Sequence, residues 1–283
     1  MAKKLGAALT SVGVNVLLLI SKLAAAFLTN SISLYAESAH SFFDLLSSLF
    51  AYFGIKKAQE PSDRTHHFGH DKFENLSSLL QTLLLAGTAS VILFESYQKF
   101  LDPTPIKSSE IGLGLMILTI PITYFTSKYL DKVAHDEGSS ALEADSTHFV
   151  TDSLSSIAVL IGLFFMHFGF PIADPIAAAF VGLIMLYLSI DLGVHSFKVF
   201  MDFSPDEKTL SKIEKVLASE KRITRFHKLR ARLAGKSILV DVHIHVPHQM
   251  DIITAHQISH EIENKIIEKV PTVKEVSIHI EPD

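Results

Sequence analysis

Six apolar stretches, crowded into the first two hundred positions, decide what this chain can fold into. A run of about 20 apolar residues crosses a bilayer as an α-helix, because hydrocarbon offers no partner to an open backbone N–H or C=O. The runs lie near 6–29, 32–55, 76–98, 111–130, 141–167 and 173–197. They predict an α-helical membrane protein with a six-transmembrane-helix bundle over 1–203. The first run is too long for a secretory signal and lacks a small-residue cleavage site, so it reads as a permanent helix.

Charge sets the expected orientation. Lys3 and Lys4 precede the first run, Lys56, Lys57, Arg64 and Lys72 follow the second, and Lys128 and Lys132 follow the fourth. By the positive-inside rule these segments are cytoplasmic, which puts both termini inside and suits the inner (cytoplasmic) membrane of a cell. Segments 30–31 and 168–172 carry no Lys or Arg and suit the outer face, although Lys99 and Lys107 weaken the contrast.

Past a linker near Met201 to Pro205 the composition turns soluble, giving a second domain over 204–283. Ser204, Pro205 and Glu207 read as N-cap, N1 and N3 of a helix that runs to about Ser219. Residues 223–232 and 237–246 read as strands around Gly235. In the second, Ile238, Val240, Val242, Ile244 and Val246 alternate, leaving Asp241, His243 and His245 on the polar face. A helix from about Ile252 stops before Pro271, and Lys274 to Ile280 makes a last strand. The tail is expected to be a small cytoplasmic α+β domain of order αββαβ.

Two of the apolar runs repeat one polar pattern: Glu37-x2-His40-x3-Asp44 in the second and Asp145-x2-His148-x3-Asp152 in the fifth. A four-residue step puts His and Asp on one helix face, one turn apart. Such groups are costly in a membrane and mark a functional site. At 1.5 Å per residue, His40 and Asp44 sit ~15–20 Å below the outer surface and His148 and Asp152 ~12–18 Å from the inner one, so both pairs reach the midplane. Opposed, they supply two imidazoles and two carboxylates, a tetrahedral shell for a divalent metal. Because the helices are antiparallel, Glu37 falls outward of this site and Asp145 inward, as acidic vestibule groups or supports for the ligands. An imidazole must be neutral to bind metal, so protons compete with the ion, and proton-for-metal exchange follows.

The rest of the composition narrows the reading. The absence of cysteine excludes disulfides and thiolate metal sites, leaving nitrogen and oxygen ligands. A net charge of -5 argues against nucleic acid as a partner. No GxxxxGK[ST] loop is present, so an ion gradient is the expected driving force. HExxH is also absent, and four protein ligands would close the open position an intramembrane metalloenzyme needs. A membrane-anchored metal sensor that does not transport would leave the midplane ligands without a purpose.

With these residues in view, the chain resembles the cation diffusion facilitator family, proton-coupled exporters of zinc and related divalent ions. The resemblance covers nearly the whole chain and is carried by the six runs, the ligands four apart on the second and fifth, a histidine-rich loop ending FGHDKFE, and the tail. It implies a secondary active transporter, a cation/proton antiporter rather than an enzyme, with His40, Asp44, His148 and Asp152 as its transport site. It implies a ferredoxin-like, metallochaperone-like tail and a homodimer in the lipid bilayer that moves divalent metal ions and protons by alternating access. Zn2+ is the expected ion, as cargo and as structural or regulatory ion, with Fe2+, Mn2+, Co2+ or Cd2+ as alternatives. Asp63, His66 and His70 match the family's loop site, and His227, His243, His256, His279 and Glu281 its cytoplasmic cluster at the dimer contact, where Glu281 stands in place of the usual Asp. A hinge ion pair between Lys72 and Asp202 is implied as well. His245, His248 and His260 read as surface residues, and Lys22 has no assigned role.

Overall fold

A computed structural model describes residues 2–29, 32–102, 110–168, 170 and 172–283. The chain divides into two compact units, Met1–Ser196 and Phe197–Asp283, a boundary a few residues before the expected one.

The first unit is a bundle of long helices: α1 (Ala2–Thr29), α2 (Ile32–Ala58), α3 (Lys72–Leu101), α4 (Glu110–Glu137), α5 (Ser140–His167) and α6 (Ala173–Phe200). Its packing is inverted relative to a soluble protein. Small and hydroxyl side chains, among them Ser11, Ser48, Ser78, Thr123 and Thr151, are buried. Large apolar ones such as Leu17, Phe27, Leu83, Phe125 and Tyr187 are exposed. Lipid tails are as apolar as leucine, so helices in a bilayer associate through close-fitting small residues and cross-helix hydrogen bonds.

Among the described residues α1, α3 and α6 qualify as membrane spans by length and composition, where the sequence reading expected six over the whole chain. The other three helices are as long; α2 and α5 carry the paired His and Asp residues, and α4 ends in Lys128, Asp131, Lys132, Asp136 and Glu137. The close fit is plainest where α2 meets α3. A Cβ on Gly54 would lie 2.4 Å from the Ser77 Cβ, so only glycine permits this approach.

The second unit is a two-layer α+β domain: α7 (Glu207–Ser219), β1 (Arg225–Ala234), β2 (Ser237–Val246), α8 (Ile252–Lys269) and β3 (Val273–Pro282). The sheet order is β1-β2-β3, with β1 antiparallel and β3 parallel to β2. A hairpin at Gly235 (φ 67) makes the first pairing, and α8 supplies the crossover that a parallel pairing needs. Alternation along β2 puts Val240, Val242 and Ile244 into one core with Ile213 and Leu217 of α7 and Ile258, Ile262 and Ile266 of α8. The helices therefore cover one face of the sheet, leaving the histidines on the other.

Two local expectations shift. The N-cap of α7 is Asp206, whose carboxylate accepts from the Thr209 N–H at 2.7 Å, rather than Ser204. A charged acceptor at the positive helix terminus outcompetes a hydroxyl two residues upstream. β1 begins and ends two residues later than expected, and a bulge between His227 and Arg230, with Lys228 at φ 50, interrupts its register.

Candidate metal centres

Four-residue spacing on α2 and α5 brings three of the four expected ligands together. The His40 Nε2 lies 3.8 Å from one carboxylate oxygen of Asp44 and 3.8 Å from one of Asp152. In a tetrahedral shell with metal bonds of about 2.0–2.2 Å, neighbouring ligand atoms stand about 3.3–3.6 Å apart. The three residues therefore sit slightly wide of a closed shell.

The fourth, His148, is buried one turn before Asp152 on α5, and its Nε2 donates to the Gln81 carbonyl of α3 at 3.2 Å. A carbonyl only accepts, so this bond leaves the lone pair on Nδ1, as when a metal-binding imidazole is oriented through its other nitrogen. Gln81 itself is fully buried. Its Oε1 accepts from Ser47 of α2 at 3.3 Å and its Nε2 donates to Ser77 and to the Ala141 carbonyl of α5. Sequence reasoning passed over this residue, although an amide within an apolar run carries the same cost that marked the ligands.

Asp145 has no exposed surface and so lines no open vestibule among the described residues. Its Oδ1 accepts from Ser48 Oγ at 2.8 Å, and Ser48 in turn contacts Ser11 and receives the Asn15 amide at 2.7 Å. Asn15 also donates to the Asp44 carbonyl at 3.3 Å, tying α1 to the ligand helix. The side chain of Glu37 lies outside the described residues.

On the loop after α2, Asp63, His66 and His70 form a group able to hold a metal. The His66 Nδ1 is 3.3 Å and the His70 Nε2 3.5 Å from the Asp63 carboxylate, the spacing of a tetrahedral edge. His70 is buried with its Nδ1 3.1 Å from the Pro61 carbonyl, which fixes the proton there and leaves a lone pair on Nε2. Among the described residues that Nε2 has no hydrogen-bond partner. Asp63 accepts from the Thr65 hydroxyl and from the Thr65 and His66 N–H groups, which hold its carboxyl well below the usual carboxylate range. The loop thus presents a charged oxygen and two imidazoles.

On the open face of the tail sheet, register puts His227, His243 and His279 in one row across β1, β2 and β3. Glu281 stands two residues along β3 from His279, and the His243 Nδ1 donates to its Oε1 at 2.7 Å. That bond, helped by the surrounding imidazoles, keeps the Glu281 carboxyl below its ordinary value. Desolvation pushes the His227 imidazole down while the Glu281 charge pulls it up, and the net shift is downward. His227, His243 and Glu281 form a group able to hold a metal. His256 stands exposed on α8 with its ring 4.5 Å from that of His260, and it is not among that group.

His245 is not the surface residue the sequence suggested. It is 5% exposed, with its Nε2 3.1 Å from the second oxygen of Glu281. Strand alternation with His243 was the signal that could have found it. Asp202 accepts from Arg232, with both oxygens 3.2 Å from Nη1, and Lys72 opens α3.

Comparison with known proteins matches both parts of the chain. The profile of the cation efflux transmembrane domain matches residues 8–201, and that of the cytoplasmic domain of cation efflux proteins matches 205–283. The cation-efflux pump FieF of Yersinia pestis (strain Pestoides F) is 28% identical over 276 residues, 98% of this chain and 92% of that protein. Among solved structures, the metal-bound C-terminal domain of the CzcD transporter from Thermotoga maritima matches 26% of this chain and 87% of its own, at 24% identity and a TM-score of 0.26. One described as the putative zinc transporter CzrB matches 28% of this chain and 99% of its own, at 23% identity and a TM-score of 0.27.

Proposed function

We propose a specific ion and mechanism for a chain that belongs to the cation efflux family. The protein is a membrane-embedded cation efflux transporter, not an enzyme. In our reading it exports Zn2+ from the cytoplasm in exchange for protons, by alternating access of a homodimer in the inner membrane.

The convergence of His40, Asp44 and Asp152 between two bundle helices carries the proposal. Two carboxylates neutralise a divalent cation, and imidazole nitrogen with carboxylate oxygen suits Zn2+. His148, already oriented through Gln81, completes the shell when its Nδ1 turns to the ion. Each imidazole that releases Zn2+ is free to take a proton, so one set of lone pairs serves both ions in turn. The loop group at Asp63, His66 and His70 and the tail group around Glu281 hold further metal on the cytoplasmic side. In this reading the tail metals, with His256 as a further ligand at the contact between two tails, stabilise the dimer.

The test is flux into proteoliposomes carrying a zinc dye and a pH dye. Zinc entry accompanied by proton movement in the opposite direction supports the exchange. Wild-type zinc entry by Asp152→Ala, or zinc entry with no proton counterflow, refutes it.

A further inference from the structure

The two oxygens of Glu281 face different histidines. Oε1 is 2.7 Å from the His243 Nδ1 and 3.8 Å from the His279 Nε2. Oε2 is 3.1 Å from the His245 Nε2 and 3.8 Å from the His227 Nε2. On the Oε2 side the two imidazoles also meet, with the His245 Nε2 3.2 Å from the His227 Nδ1. These separations bracket the edge of about 3.3–3.6 Å expected of a tetrahedral shell; the His227 ring, which faces Oε2 with Nε2 and His245 with Nδ1, has to turn to present one nitrogen to both. The carboxylate is therefore placed as a bridge between two pairs of nitrogen ligands, all from one chain.

We propose that His245 is a metal ligand of the tail, holding one divalent cation together with His227 and the Oε2 of Glu281, while His243, His279 and Oε1 hold a second. This deepens the reading of the tail as a metal-binding module and rests on it.

Three observations distinguish His245 from an ordinary core histidine. Its strand partner on β3 is Glu281 itself, so backbone register alone sets the ring beside the carboxylate. The ring is buried, yet among the described residues its Nδ1 has no hydrogen-bond partner, an arrangement unfavourable for a ring that serves only packing. That Nδ1 lies 3.9 Å from a carboxylate oxygen of Asp283, whose backbone N–H is tied to the Val246 carbonyl at 3.0 Å. An imidazole with its metal-facing nitrogen on one side and a carboxylate behind the other is how proteins orient a histidine ligand. When Nε2 gives its lone pair to a cation, the proton resides on Nδ1, and Asp283 is placed to accept it after a shift of about 1 Å. Zn2+ suits the resulting set of two nitrogens and one oxygen, with water as the fourth ligand.

The full-length protein in detergent tests the assignment. Bound Zn2+ per chain is counted after equilibrium dialysis, and affinity is measured by competition with a chelating dye. His245→Gln should lose one equivalent of Zn2+ or weaken one site at least tenfold, and Asp283→Asn should weaken the same site about 10- to 100-fold while the count is kept. His243→Ala serves as the control for the underlying reading. If His243→Ala loses zinc while His245→Gln matches the wild type in count and affinity, the ligand assignment is wrong and the metal-binding tail stands. If neither variant changes, the tail reading fails and takes the assignment with it. Melting in chelator checks that His245→Gln is folded; if it is not, wild-type affinity in Asp283→Asn overturns the proposal.

Discussion

Replacing Asp44 by Asn isolates the charge at the proposed transport site, since the side chain keeps its shape and one oxygen. The ligand atoms of Asp44 and Asp152 lie within 4.8 Å of one another. At that distance two unit charges repel by about 3.5 kcal/mol for an effective dielectric of 20. An arriving cation or proton relieves this repulsion, which is what makes the empty site avid for either. The Asn variant removes the repulsion and half of the negative charge that neutralises a divalent ion. Removing one member of a buried charge assembly costs about 3–5 kcal/mol, so the dissociation constant for Zn2+ should rise by roughly 10²- to several 10³-fold. Zinc-dye flux in proteoliposomes at micromolar Zn2+ should fall to background, with partial recovery at millimolar Zn2+. Glu95→Gln, an exposed acid on α3 outside the site, should transport normally. An Asp44→Asn protein that binds Zn2+ within threefold of the wild type and carries it at the same rate would refute the assignment of this carboxylate as a ligand.

Four further outcomes follow from the same geometry. Asp63→Asn should keep the turn, because the amide oxygen still accepts from Thr65 and His66, while zinc affinity at the loop falls at least tenfold in a dye-competition titration. Gly54→Ala should destabilise the bundle by about 1–3 kcal/mol, read as a lower melting temperature in detergent, because its Cβ would press on Ser77. Lys4 and Glu74 form a buried ion pair at 2.7 Å, with Ser139 also donating to the carboxylate; Lys4→Met should cost about 3–5 kcal/mol, and adding Glu74→Gln should recover much of it. In the tail, hydrogen bonds from Arg222 and Lys265 lower the Glu220 carboxyl from 4.5 to about 2. A depressed carboxylate stabilises the fold above its unfolded value and loses that contribution as pH falls from about 4.5 to about 2. Glu220→Gln should therefore lower tail stability by about 1 kcal/mol at pH 7, and the difference from wild type should vanish at the acid end of that window, as measured by thermal unfolding across pH.

The parts of this molecule that were legible in its sequence are those set by short-range periodicity. A four-residue step fixes a helix face, and so the partnership of His40 with Asp44 could be read directly. A two-residue step fixes a strand face, and so the placement of His243 opposite the apolar core was legible too. What could not be read depends on choices made across the fold. Gln81 acquires its importance only because α2, α3 and α5 meet around it. His245 lies on the same face as His243, but its burial depends on where the β3 register places Glu281 and on the residue beyond it. The α7 cap went to Asp206 because the carboxylate reaches the Thr209 N–H, a comparison of two good candidates that spacing alone does not decide.

The polar groups buried in the bundle fall into two kinds, and the difference bears on how ligand variants should be interpreted. Thr82, Thr119 and Ser189 return their hydroxyls to carbonyls of their own helices. Such bonds satisfy the hydroxyl but do not specify which helix lies alongside. Ser11, Asn15, Ser48, Asp145 and Gln81 instead bond across helices, and in a solvent without hydrogen-bonding groups each such bond favours one register of its two helices over others. These crossing groups surround α2 and α5, and none of them is a proposed ligand. The register of the ligand helices is thus held largely by residues other than the two carboxylates. It follows that Asp44→Asn and Asp152→Ala should leave the bundle assembled, so that lost flux in those variants reports lost coordination rather than lost structure.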